Sequence, residues 1–421
     1  MRTYCTLFIS ILLSITSISA QKKDSLKITD LIPHTHYFTI ENGQFQGDGK
    51  AFLEAEMAKH QYVLLGEYHG SSLISQFTET LIPVLAKNDF NTFAIEVGPI
   101  SGQILSELST DPKQTTERLL DFNSRYYVQE EDYSYMAIPF FKYIEDAQFL
   151  SAAAAHDWAL MGLDQEFIYG YEPLIDRLFQ NLNQQQQDQL KTQYLMVKDS
   201  LSTYYALEAS GDEDLAVLVY HSSLIASFLE QSTQANPDNQ AIADAIRATT
   251  QIYYYNATRK YLQCNSSRID YMKENLRKGF ERLDFDLRQD KMLLKMGGVH
   301  TARGFSWLSL FEIGNTLSEL ANYHGNTSLH INFSSRYYEE DGQVIDRLAD
   351  TESYTYRYKD ILQLAKPDAW TIIDLRPLKY NLFYARKFLV SDLIQDVFKQ
   401  HDWVILPPVE RESKRNFVLR E

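Results

Sequence analysis

Apolar and polar positions along the chain follow two different periods. Short runs of four to eight mostly apolar residues recur, the clearest being "YVLLGE" (62–67) and "TFAIEVG" (92–98). "ALMGLDQ" (159–165), "KMLLKMGG" (291–298), "SLHINF" (328–333) and "AWTIIDL" (369–375) follow the same pattern. Runs this short and this apolar are the signature of strands buried on both faces. After the first run comes "LISQFTETLIPVLAKN", with apolar residues three and four apart as on one face of a helix. Strands alternating with helices predict an α/β fold, with a mostly parallel central sheet flanked by helices.

Two stretches break the alternation. Residues 172–287 are polar-rich and helical in pattern, with no strand signal, and predict a large helical insertion. "FSSRYYEEDGQVIDRLADTESYTYRYKD" (333–360) is polar and rich in tyrosine, and reads as a linking segment. The first twenty residues, "MRTYCTLFISILLSITSISA", carry one basic residue, an apolar centre and a small residue before Gln21. That order predicts a secretory signal cut after Ala20, which leaves residues 21–421 as one α/β domain exported to a periplasm or the cell exterior. The apolar stretch Leu7–Ile18 falls short of the roughly 20 residues that cross a bilayer, and no later stretch reaches that length, so no transmembrane segment is expected in the mature chain.

Charge and cysteine content narrow the picture. Loss of Arg2 with the signal takes the formal charge from −16 to −17. That argues against nucleic acid as a partner, because a phosphate backbone requires a basic face. Of the two cysteines, Cys5 leaves with the signal and Cys264 remains alone, so stability must come from the core and not from an internal disulfide.

Ligands of a parallel sheet bind beyond the carboxyl ends of its strands, so the residues that follow each apolar run are the candidates. Glu67 and His69 follow the first, Glu96 ends the second, Asp164 and Glu166 follow the third, and His300 and Arg303 follow the fourth. Glu67 and His69 are two apart, and side chains at that spacing on an extended segment face the same way. A carboxylate beside an imidazole fixes its tautomer and raises its pKa, which suits a general base acting on water. In this reading His69 is the base and Glu67 or Glu96 orients it. His300 and Arg303 stabilise developing negative charge, and Asp164 either contacts the substrate or supports a residue that does. As a second reading, Glu67, His69, Glu96 and His300 are instead the ligands of a divalent transition metal. A G-x-S-x-G elbow, a Walker A loop, a G-x-G-x-x-G fingerprint and an HExxH motif are all missing.

The order "LLGEYHGSS", "FAIEVG", "MGLDQE", "SSRIDYMKENL", "KMLLKMGGVHTARG" resembles the erythromycin-esterase-like proteins over roughly residues 55–335. These are grouped with the TIKI/TraB proteases and the ChaN-like haem-binding proteins. Arg268, Met272 and Asn275 match the family's R-x-x-x-M-x-x-N element, which adds Arg268 to the expected substrate-binding residues. The resemblance implies a histidine-activated water attacking an ester or amide, with His69, Glu67, Glu96 and His300 as the catalytic group. The esterases read G-E-x-x-H where this chain reads G-E-Y-H, nearer to the ChaN and TIKI branches. Those branches imply two further readings, a binding protein for haem or another iron ligand and a metal-dependent protease. The expected partner is a small-molecule or peptide substrate.

Overall fold

The structure, a computed structural model, describes residues 24–129, 134–385 and 388–419. The predicted signal, residues 1–20, lies outside the described residues. Nine strands form the central sheet: β1 Thr35–Glu41, β2 Gln44–Gln46, β3 Tyr62–Glu67, β4 Phe90–Ile95, β5 Ala159–Gly162, β6 Lys291–Gly297, β7 Ser328–Phe333, β8 Trp370–Asp374 and β9 Trp403–Leu406. Their order across the sheet is β2-β1-β8-β9-β7-β3-β6-β4-β5. The six strands from β9 to β5 run parallel, and β8, β1 and β2 add an antiparallel edge.

All six residues of β3 are buried, because helices cover both faces of the sheet. Val63 and Leu65 point into a cluster with Phe77 and Leu81 of the helix Ser72–Ala86. Tyr62 and Leu64 point the other way, onto Met272 and Leu276 of the helix Tyr261–Leu283 and Leu317 of the helix Ile313–Tyr323. The two-residue period of the strand therefore distributes its apolar side chains between two cores.

The chain leaves the β3–β6 pair in opposite directions. From β3 it reaches β4 through the helix Ser72–Ala86 on one face, and from β6 it reaches β7 through the helix Ile313–Tyr323 on the other. Such a switch point opens a crevice at the carboxyl ends of the two strands. Between β5 and β6 lie six α-helices among the described residues, from Tyr171–Gln180 to Tyr261–Leu283. No helix of the described residues is long and apolar enough to cross a membrane.

The segment 333–360 is more ordered than its composition suggested. It contains a hairpin pairing Tyr337–Glu340 with Gln343–Asp346, turned at Asp341 and Gly342, both with positive φ. Three sheet strands, β1, β2 and β9, lie outside the six apolar runs read from the sequence. β1 is only partly buried at the antiparallel edge, and β2 and β9 have three and four residues, too short to show a period.

Candidate active site

β3 carries Glu67 at its last position, where the carboxylate is buried to 5% exposure. Lys295 of β6 reaches it at 2.5 Å and is equally buried. Burial pushes the Glu67 carboxyl up, but the Lys295 ammonium and a hydrogen bond from His69 outweigh it and hold the group down at about 2. His69 follows in the short loop before the helix Ser72–Ala86, whose first turn is capped by Ser71 Oγ accepting from Ile74 N–H. His69 Nδ1 lies 3.1 Å from Glu67 Oε1. Nδ1 therefore donates to Glu67 and leaves Nε2 as the basic nitrogen.

His69 Nε2 stands 3.7 Å from Glu96 Oε2, beyond hydrogen-bond length. Burial lowers the His69 pKa, but the Glu67 hydrogen bond and the charges of Glu96 and Glu67 raise it above its ordinary value. The ring is stacked on Phe140, with centroids 3.8 Å apart, and its side chain keeps 35% exposure. Phe140 has φ +65°, a conformation that costs a bulky residue energy and that occurs where the surroundings hold a functional group in place.

Glu96 sits one residue past the end of β4. Its Oε2 accepts the Gly297 N–H at 2.5 Å, and its Oε1 lies 3.0 Å from Arg268 Nη2 and 3.5 Å from His300 Nε2. A Cβ at position 297 would come within 3.2 Å of His69 Nε2 and 3.3 Å of Glu96 Oε2, so a larger residue there would have to push the ends of both side chains aside. Burial pushes the Glu96 carboxyl up, yet His300, His69 and Arg268 together hold it below its usual range. His300 in turn donates from Nδ1 to Glu312 at 2.9 Å, and Glu312 accepts from Ser306 Oγ at 2.7 Å.

Arg268 projects from the helix Tyr261–Leu283 and forms a two-pronged bond to Asp164, 2.9 Å from Nε and 2.5 Å from Nη2. On the same helix Asn275 Nδ2 donates to the Leu163 and Asp164 carbonyls. This helix thus clamps the end of β5 from both its side chain and its backbone. A cleft of about 390 Å³ borders the cluster, with Phe140, Asp164, Gln165, Tyr253 and Arg268 in its wall.

The structure therefore brings together Glu67, His69, Glu96, Asp164, Arg268 and His300. It does not bring Arg303 to them. A Cβ at position 66 would lie 2.4 Å from Thr301 Oγ1, so the chain after His300 crosses β3 at Gly66. Arg303 ends on Asp402 (2.6 Å) and the Ser328 carbonyl (2.7 Å), at the amino end of β7. Glu166 also turns away, accepting from Ile100 N–H and Ser101 at the start of the helix Pro99–Leu108. Sequence reasoning missed Lys295, Glu312 and Phe140. Lys295 had a signal, a lone charge inside an apolar strand run; Glu312 and Phe140 had none.

The same cluster tests the metal and haem readings. Each carboxylate is already matched by a cation, Glu67 by Lys295 and Glu96 by Arg268, and His300 Nδ1 is spent on Glu312. A divalent ion placed among them would meet an ammonium and a guanidinium. Among the described residues no group of three or more His, Cys, Asp or Glu is arranged to hold a metal. For haem, His69 Nδ1 is held by Glu67 and Phe140 covers one face of the ring, which leaves Nε2 open beside Glu96. The cluster does not fit a divalent metal.

No family model and no curated relative matches the chain. Solved structures do. A succinoglycan biosynthesis protein superposes with a TM-score of 0.55 at 16% identity, covering 95% of this chain and 100% of its own. A Bacillus cereus protein superposes with a TM-score of 0.52 at 15% identity over 92% of this chain and 98% of its own. At these identities the likeness is one of fold. The matches also include an erythromycin esterase mutant in its open conformation, at TM-score 0.48 and 14% identity over 87% of this chain and 96% of its own.

Proposed function

We propose that this chain is an exported hydrolase in which His69 activates water against an ester or amide carbonyl. The observation that carries the reading is the polarity of one imidazole. Nδ1–H is held by a carboxylate anchored on Lys295, while Nε2 has no hydrogen-bond partner and the ring stays partly exposed. Nε2 takes a proton from water as the oxygen bonds to the carbonyl carbon. Arg268, the cation in the wall of the adjoining cleft, stabilises the negative charge that develops on the carbonyl oxygen. The imidazolium returns its proton to the departing alcohol or amine, and Glu67 and Glu96 stabilise its charge in between. Glu312 orients His300 against Glu96.

The test uses the purified chain from Gln21 onward, with p-nitrophenyl acetate, a δ-lactone and an unstructured peptide as substrates. His69→Ala is expected to lower turnover by about 10² to 10⁴, with the melting temperature unchanged. Turnover that survives this change removes His69 from the chemistry. Export is tested separately, by finding the amino terminus of the protein recovered outside the cytoplasm at Gln21.

A further inference from the structure

A second cavity, of about 600 Å³, runs from the carboxyl ends of β3 and β7 along the helix Asp392–Gln400 to His401, just before β9. His69, Glu96 and Arg268 have no part in its wall, and Glu67 is the one residue it shares with the cluster above. Most of its lining is apolar, from Phe333, Leu362, Leu393 and Val397. Into this wall the chain places Arg347, just after the hairpin Tyr337–Asp346.

No carboxylate of the described residues lies within ion-pair distance of Arg347. Its guanidinium donates no hydrogen bond and joins no ion pair with any described residue, and Nε is buried without a partner. The group lies 4.8 Å over the Tyr338 ring. The neighbouring carboxylate, Asp346, is occupied by Arg336 through bonds of 3.0 and 2.8 Å. Glu410 attracts Arg347 from a distance, but its carboxylate is bound by Tyr68 and Ser71, and burial pushes its pKa up. A guanidinium has five donors in a planar fork; Arg347 is partly exposed, and its Nε–H is the buried donor left unmade, which is costly. The same wall holds His401, whose Nδ1 is also buried and unpartnered. The carboxylates in the wall are compensated: Glu67 by Lys295 at 2.5 Å and Asp396 by Lys399 at 3.2 Å.

We propose that this cavity is a second binding site, for a small amphipathic carboxylate whose headgroup pairs with Arg347 while its apolar body packs on Phe333, Leu393 and Val397. An oxyanion matches the planar fork in charge and shape, and the apolar wall selects against a freely hydrated inorganic anion. The proposal does not depend on hydrolysis at His69.

Trp307, in the wall and 76% exposed, is a reporter, because Trp158, Trp370 and Trp403 are buried. The mature protein is titrated with benzoate, benzyl alcohol and phenyl phosphate, following Trp307 emission and melting temperature. Benzoate is expected to saturate and to raise the melting temperature, with benzyl alcohol weaker by roughly tenfold or more. Arg347→Met is expected to remove the difference between benzoate and benzyl alcohol, and His69→Ala to leave benzoate binding as it was. Tyr354→Ala, at the exposed rim, provides a second variant and is expected to weaken benzoate without unfolding the protein. Benzoate that fails to saturate, or binds Arg347→Met as tightly, overturns the proposal. Phenyl phosphate binding tenfold tighter than benzoate overturns the assignment to a carboxylate.

Discussion

The two ends of the parallel sheet each bury a network of charge, and they use it in opposite ways. At the amino end Asp402 accepts from Arg303 and Lys379 and from the His330 backbone N–H. Burial alone would raise the Asp402 carboxyl, but those two cations drive it far below the usual range. The histidines there are pushed the other way: burial holds His60 down to about 4 and His401 to about 3, and His330 well below its ordinary value. Asp402 stays ionised and these histidines stay neutral near neutral pH, which is how an electrostatic clamp behaves. At the carboxyl end the histidine is raised instead of lowered, is partly exposed, and has one nitrogen without a partner. A buried network becomes a candidate for chemistry when one of its members can still change state near neutral pH.

This contrast gives an ordered set of tests. The largest effect is the loss of turnover in His69→Ala at an unchanged melting temperature. Next is Asp402→Ala, which strands two cations and is expected to cost about 3–5 kcal/mol in urea unfolding, with kcat/KM of the folded fraction unaltered. A fall in turnover without a fall in stability at Asp402 would erase the distinction between the two ends.

A smaller separation comes from paired arginine changes. Arg268→Met is expected to reduce kcat by roughly tenfold or more, whereas Arg303→Met leaves kcat within about twofold and lowers stability. Equal kcat losses would return Arg303 to the mechanism.

The finest test is pH. The base must be unprotonated, and the His69 pKa is raised, so kcat/KM should climb with pH through a value above the ordinary 6.5. Glu67→Gln removes the main acceptor and should move that limb to lower pH. Stability runs on a different scale. The folded pKa of Asp402 lies below its unfolded value of about 3.9, so its contribution is complete above that pH and fades as pH falls below it. Coincident activity and stability profiles would mean that one network controls both.

Much of the candidate site was legible because ligands of a parallel sheet bind beyond the carboxyl ends of its strands. A polar residue that ends an apolar strand run has few places to go except the crevice beyond the sheet. That logic located Glu67, His69, Glu96 and Asp164 directly. It failed at Arg303, three residues past His300, because the chain crosses β3 over Gly66 and carries that side chain to the other end of the sheet. It was also blind to Phe140, whose stacking on His69 depends on a positive φ that no local pattern announces.

By itself the sequence determined the alternation of strands and helices, the six main apolar strands, the helical stretch after β5 and the polar residues at strand ends. These are set by local periods of burial, which each segment carries within a dozen residues. Only the tertiary structure decided which polar residues share a site. Strand order put β6 between β3 and β4, and with it Lys295 against Glu67 and Gly297 against Glu96. The helix Tyr261–Leu283, about 170 residues after Glu96, supplied the cation that holds Glu96 and Asp164 together. Pairings across such separations follow from packing the whole chain into one sheet, and no window of sequence contains them.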